Sequence, residues 1–189
     1  MTVDFGNGCY SPDFGERAWG KATLTVVDPQ YDYWGDLVDF SRVDIHFDDL
    51  GTVSGGTRRG TMSLRNIGRY DMLGISLDIT TIAECEDRML FNGTVAYRSG
   101  WLTDYATFNV GGQYQAPAYG TINFQMIDIV YERDGCTYPV SGTVTMTDGR
   151  VTGTAVFNGL CGYAQVTDGV SSATVDLRTV ESDPCRVAR

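Results

Sequence analysis

A single histidine, five prolines and five cysteines with no Cys-x-x-Cys spacing are what this 189-residue sequence has least of. The lone His46 excludes a histidine-rich metal centre, and the missing Cys-x-x-Cys and Cys/His spacings exclude a zinc site. No apolar run approaches the ~18–20 residues of a membrane-spanning helix. Neither a basic n-region nor an apolar h-region follows Met1, which leads straight into TVDFGNGC, so the chain is read as cytosolic or as the product of a removed leader. No Lys/Arg cluster interrupts a formal charge of −10. A field of that sign repels phosphate backbones and anionic lipid, which excludes nucleic acid as an expected partner and otherwise serves solubility. A helical hydrophobic period is also missing from every stretch long enough to show one.

What fills the chain instead is period-two alternation. Ala22, Leu24 and Val26 alternate with Lys21, Thr23 and Thr25, and Leu73, Ile75, Leu77 and Ile79 alternate with Gly74, Ser76, Asp78 and Thr80. Further strand-like runs fall at about 36–48, 60–66, 88–98, 104–113, 120–132, 136–147, 150–157, 161–167 and 172–178, parted by short Gly, Asn or Asp punctuation. Threonine crowds the polar positions, where its branched Cβ suits the pleat and its hydroxyl faces water. Connections this short cannot hold the crossover that parallel strands need, so an antiparallel meander is expected.

Within 36–48 the apolar parity changes from Val38 and Phe40 to Val43, Ile45 and Phe47, which predicts a β-bulge near Ser41-Arg42. A second parity change falls around Met126-Ile127. Bulges bend sheets, so residues 1–189, undivided by any Pro/Gly/Ser linker, are expected to form one all-β domain. Its expected form is a strongly curved sheet or partly closed barrel, with a two-sheet β-sandwich as the alternative.

The C-terminal hairpin subregion, 136–178, opens with CTYPVSGTVTMTDGRVTGTAVFNGLC, which has Cys136 and Cys161 at its ends and Asp148-Gly149 at its middle. A two-residue Asp-Gly loop suits a type I′ turn, because glycine takes positive φ without strain. Thr147 then faces Arg150, and each outward step pairs Met146 with Val151, Val144 with Gly153, Gly142 with Ala155 and finally Cys136 with Cys161. Thr143, Thr145, Thr147, Thr152 and Thr154 all fall on the opposite face, in agreement with that register. The two cysteines would occupy a non-hydrogen-bonded pair with Cα atoms about 4.5 Å apart, the short end of disulfide geometry. A disulfide here, with a pair of buried thiols as the alternative, would close a loop of about 25 residues, be worth about 3 kcal/mol, and imply an oxidising compartment and hence export. Cys9 and Cys185, near opposite ends of the chain, would meet if a barrel closed its first strand onto its last, and form the candidate second disulfide. Cys85 sits in the acidic turn AECEDR.

DFGNGC at 4–9, GKATLTV at 20–26, CTYPVSGTVTM and FNGLCGYAQVTDG at 157–169 together resemble a family of exported, β-rich bacterial lipoproteins of uncharacterised function, best represented in Bacteroidetes. There an F-G-x-G-C start leads into an S-G-K strand, and a C-x-x-P/V-V-S-G strand precedes a Y/F-G-x-G-x-C-D-x-x-A-T-V segment. The similarity covers both ends and runs loosely through the middle, where Trp101 and Gly111-Gly112 fit. This chain has Gly162 where the family has Asp after its late cysteine, and Cys85 and Cys185 stand outside the pattern. The resemblance implies an exported all-β protein, periplasmic, outer-membrane-associated or at the cell surface. Its lipid-anchored cysteine would precede residue 1, and no catalytic residues are implied.

Candidate chemistry is sparse. Alternation places His46 on the wet face with Asp44 and Asp48, and no G-x-S-x-G or cysteine nucleophile motif accompanies it, so it is read as a surface histidine. Asp44, Asp48 and Asp49, with Asp32, Asp36 and Asp39 upstream, lack calcium-loop spacing and are read as a solvated acidic edge that discourages strand-to-strand aggregation. No catalytic residue, metal or cofactor is assigned. The aromatic residues Tyr31, Tyr33 and Trp34 of QYDYWGD, with Trp101 and Tyr105 of SGWLTDY, are the candidate ligand-binding set, since flat rings beside carboxylates suit sugar faces. Packing in the core or over a sheet edge is the competing use of those rings. Asn92-Gly93-Thr94 matches a glycosylation acceptor and is read as a bend or bulge within a strand. The expected function is a non-catalytic exported envelope or cell-surface protein acting structurally or through protein contacts at an open sheet edge. A carbohydrate or small-ligand module is the alternative, and a glycan-acting hydrolase the third reading.

Overall fold

The computed structural model describes residues 1–11, 16–35, 37–52, 56–69, 72–82, 85–97, 105–132 and 136–180. Its strands in chain order are β1 (Thr2–Ser11), β2 (Glu16–Val27), β3 (Gln30–Tyr31), β4 (Leu37–Asp39), β5 (Arg42–Thr52), β6 (Gly56–Arg69), β7 (Met72–Ile82), β8 (Glu86–Tyr97), β9 (Tyr105–Ala116), β10 (Gly120–Glu132), β11 (Ser141–Thr147), β12 (Thr152–Asn158), β13 (Tyr163–Thr167) and β14 (Ser172–Asp176). Twelve of them form one antiparallel meander with β1 and β14 at its edges, while β3 and β4 make a small hairpin on the connection from β2 to β5. The meander is therefore as expected. The sheet is not closed, and among the described residues no second sheet packs on it to make a sandwich.

Pairing carries the alternation of each strand into sheet-wide faces. Leu24, Ile45, Met62 and Leu77 stand side by side on β2, β5, β6 and β7, and the same side continues through Phe91, Gly112, Phe124 and Met146 on β8 to β11. The other side presents Thr23, His46, Thr61 and Asp78 in one row and Ser63, Ser76 and Asn92 in the next. One side of the sheet is thus apolar across its width and the other polar.

Glycine shapes the apolar side. A Cβ on Gly60 would fall on the carbonyl oxygen of Asp78, and one on Gly112 on that of Leu90. The backbone of the neighbouring strand passes so close to each glycine that any side chain there would collide with it. Aromatic rings cover the gaps: Phe47 stands opposite Gly60, and Phe91 and Phe124 flank Gly112 with ring centroids 6.5 Å apart.

Bulges interrupt the ladders as well. The parity change at Met126-Ile127 is one, with Asp128 at φ 50° and the register shifting against both neighbours. The parity change near Ser41-Arg42 is not a bulge: the chain leaves β4 at Asp39 and enters β5 at Arg42, so two separate strands meet there. An unanticipated bulge sits at Asp48-Asp49, where Asp49 takes φ 51°. DFGNGC, expected ahead of the first strand, lies within edge strand β1 and is itself irregular, with positive φ at Gly6 and Gly8. Asn92-Gly93-Thr94 marks no bulge, since β8 pairs without a shift on both sides; Gly93 instead admits the close approach of Asn109.

The one hydrophobic cluster among the described residues lies at the C-terminal end. Ile129, Ala155, Phe157 and Ala164 are buried there, with Phe108, Met126, Val144, Val166 and Leu177 packed against them. Leu177 arrives on a single 3-10 turn, Leu177–Thr179, whose start is capped by Asp176 and whose Leu177 N–H donates to the Gly162 carbonyl at 2.8 Å.

The hairpin register differs from the expected one by two residues. Thr147 pairs with Thr152, Met146 with Gly153 and Gly142 with Phe157, so Asp148 to Val151 form a four-residue loop. The reason is the Asp148 carboxylate, whose Oδ1 accepts from the backbone N–H groups of Arg150 at 2.8 Å and Val151 at 2.9 Å, while Gly149 N–H donates to Thr147 Oγ1. Those side-chain bonds outcompete the tight two-residue turn. Thr167-Asp168-Gly169 builds the same loop between β13 and β14, with Asp168 Oδ1 accepting from Val170 and Ser171.

Cys136 and Cys161 are joined by a disulfide with Cα atoms 5.7 Å apart. They do not face each other across the ladder: Cys136 precedes β11 and Cys161 follows β12, so the bond ties two connections. The proposed Cys9–Cys185 pair is corrected. Cys9 is a free, exposed thiol on edge strand β1, because the open sheet never brings its first strand onto its last. Cys85 is disulfide-bonded, and Cys185 lies outside the described residues.

Candidate functional site

Two surfaces emerge, and the larger is the apolar side itself. Among the described residues, substantial strand contacts are confined to ladder neighbours, and no layer formed by those residues covers that side from β2 to β9. Its central rows carry no ionisable side chain; the charged pair nearest to it, Arg58 and Asp87, stands at the end of the strands, one on each side of Thr81. Tyr114 closes the same end beside Asp87, and burial first, then the Asp87 carboxylate, pushes its phenol up to about 12. Tyr131 lies edge-on to Phe108 with ring centroids 5.6 Å apart, and burial raises its pKa as well.

Ion pairs gather on the polar side. Asp78 pairs with Arg88 at 2.7 Å, Asp49 with Arg59, and Arg42 with Asp44 at 2.8 Å. The arginine hydrogen bonds hold the Asp78 and Asp49 carboxyls below their ordinary range. His46 is exposed between Thr23 and Thr61. Among the described residues no three His, Cys, Asp or Glu side chains gather as metal ligands; Asp36 lies outside them.

The second surface is the β3–β4 hairpin. Tyr33 and Trp34 are 93% and 83% exposed, in edge-to-face contact at 5.3 Å, and Tyr31 beside them is exposed too. The Asp32 carboxylate accepts from the Trp34 N–H at 2.9 Å, and Gly35 N–H returns to the Asp32 carbonyl, so the two rings ride on a hydrogen-bonded turn. Tyr105 begins β9, four strands from β5, hence on the order of 19 Å along the sheet. The structure therefore groups Tyr31, Tyr33 and Trp34 and leaves Tyr105 apart; Trp101 lies outside the described residues. The third tryptophan serves packing: Trp19 lies against Gly51 and its indole N–H donates to Thr57 at 3.2 Å.

Sequence reading missed the uncovered side, because alternation marks which residues face inward without saying what they face. It had named only an open edge as an interaction surface. No protein-family model, curated protein or solved structure matches the chain.

Proposed function

We propose that this protein is an exported, non-catalytic structural or interaction protein that associates with a second copy of itself through the apolar side of its sheet. The observation that carries this reading is a twelve-strand sheet whose apolar side has no covering layer among the described residues. The chain exposes 12599 Å², where a compact monomer of its size exposes about 8,900 Å². Obligate interfaces bury about 1,000–2,500 Å² per chain, so the excess is ample for one. An uncharged central patch brings no like-charge repulsion to such a contact, although each copy carries −10 overall. Export is supported by the disulfide chemistry of Cys136, Cys161 and Cys85 and by the lipoprotein-like motifs at both ends.

Light scattering on protein made with export tests this directly. Wild type is expected as a dimer or larger, Leu77→Glu on the apolar side as a monomer, and Thr61→Glu on the polar side as wild type. A wild type that stays monomeric up to its solubility limit overturns the reading.

A specific observation favours a second reading, a carbohydrate-binding module: Tyr33 and Trp34 stand almost fully in water on an ordered turn. On a glycan array, binding lost in Trp34→Ala would place the function there.

A further inference from the structure

On the polar side, opposite the surface proposed for self-association, lies a groove of about 440 Å³ lined by Ser63, Arg65, Ile67, Gly74, Ser76, Asn92 and Thr94. That volume suits a small ligand. Gly74 is its floor: a Cβ there would stand 3.3 Å from the Ile67 methyl, so the missing side chain is what leaves the space. Ser63, Ser76 and Asn92 form one cross-strand row, and Arg65, Gly74 and Thr94 the next.

Part of this side is satisfied within the protein, as in Asp78 with Arg88, Gln113 with Asn123 and Asn109 with Asp128. The groove lies outside those pairs. Among the described residues, Arg65 has no acidic partner, and the side chains of Ser63, Ser76, Asn92 and Thr94 make no hydrogen bond within the protein. Arg65 also stands directly across the ladder from Arg42, whose charge is already met by Asp44. Like charges in that position destabilise a sheet, and in a chain of net charge −10 the pair leaves one guanidinium uncompensated.

We propose that this groove binds a sugar acid. A planar carboxylate takes the Arg65 guanidinium in a two-point contact. The hydroxyls of Ser63, Ser76 and Thr94 and the carboxamide of Asn92 donate to and accept from the ring hydroxyls. Ile67 offers an apolar wall to the C–H face of the ring. Asp44, facing Ser63, sets an upper limit on the ligand's charge and disfavours multiply charged anions.

The test is a two-dimensional amide NMR titration of the intact, disulfide-bonded protein with glucuronate, using glucose and acetate as matched controls. Glucuronate is expected to shift amides at 63–65, 74–76 and 92–94, with both controls at least tenfold weaker. Arg65→Gln is expected to weaken binding at least tenfold, and Gly74→Val, which fills the floor without touching the charge, to abolish it while the remaining spectrum shows the fold intact. No shift with glucuronate, equal binding of acetate, or unchanged affinity in Arg65→Gln overturns the proposal. None of these outcomes bears on self-association, which is read separately by light scattering.

Discussion

The C-terminal strands β10 to β14 and the central strands β5 to β9 obey the same alternating pattern and end in different physical states. In the first region Phe157 and Ile129 are buried in a closed cluster, a disulfide ties the connections at either end of the β11–β12 hairpin, and two Asp-Gly loops lock the turns. In the second, strands of eleven to fourteen residues present Leu77, Phe91 and Met62 on a side that none of the described residues covers. Alternation makes a strand amphipathic; a core needs something on the far side.

Truncation should separate the two regions most sharply. Phe157→Ala, in the closed cluster, is expected to cost about 4 kcal/mol. Leu77→Ala, on the uncovered side, is expected to cost about 1 kcal/mol, because its side chain gives up less burial. Urea melts of the monomeric form compare them, and equal losses would erase the distinction between the regions.

Removing the disulfide comes next. Cys136→Ser with Cys161→Ser should cost about 3 kcal/mol and raise hydrogen exchange in β11 and β12 while leaving β6 to β8 unchanged. Uniform acceleration through the sheet would show that the C-terminal region is not a separate stable unit.

Glycine substitutions are expected to have smaller effects and to run the other way. Gly112→Ala in the central sheet pushes a methyl onto a neighbouring carbonyl and should cost about 2 kcal/mol. Gly153→Ala in the C-terminal hairpin meets only ordinary contact, 3.9 Å from Thr167 O, and should be near neutral. Thermal melts of the pair measure the contrast.

The smallest expected effect is in acid. Backbone N–H bonds hold the Asp148 and Asp168 carboxyls below their ordinary range. Their contribution is present above the unfolded pKa of about 3.9 and is lost as pH falls through the lower folded values. Amide exchange in the two loops should therefore quicken in acid. Asp148→Asn, which keeps the acceptor without the charge, should flatten that dependence in its own loop and leave the Asp168 loop as it was.

Much of the fold was legible locally. Leu73, Ile75, Leu77 and Ile79 announced a strand and its inward side, short connections announced antiparallel neighbours, and the cysteine spacing pointed to the Cys136–Cys161 bond. The aromatic hairpin was legible too, as QYDYWGD, although Tyr105 joined it only on paper. The groove at Arg65 was not, because its residues come from three strands and matter through what fails to pair with them.

The hairpin register marks where local information ends. Sliding one strand by two residues keeps every side chain on its original side, so threonine and valine patterns agree equally well with Thr147 facing Arg150 or Thr152. Sequence alone therefore marked most of the strands, their sides and their antiparallel order, and named the cysteine pair through a register the fold does not keep, while β1 and the break between β4 and β5 escaped it. Only the folded chain decided the register, through two hydrogen bonds to Asp148, and the exposed breadth of the apolar side. Both depend on contacts between residues and layers that a period of two does not encode.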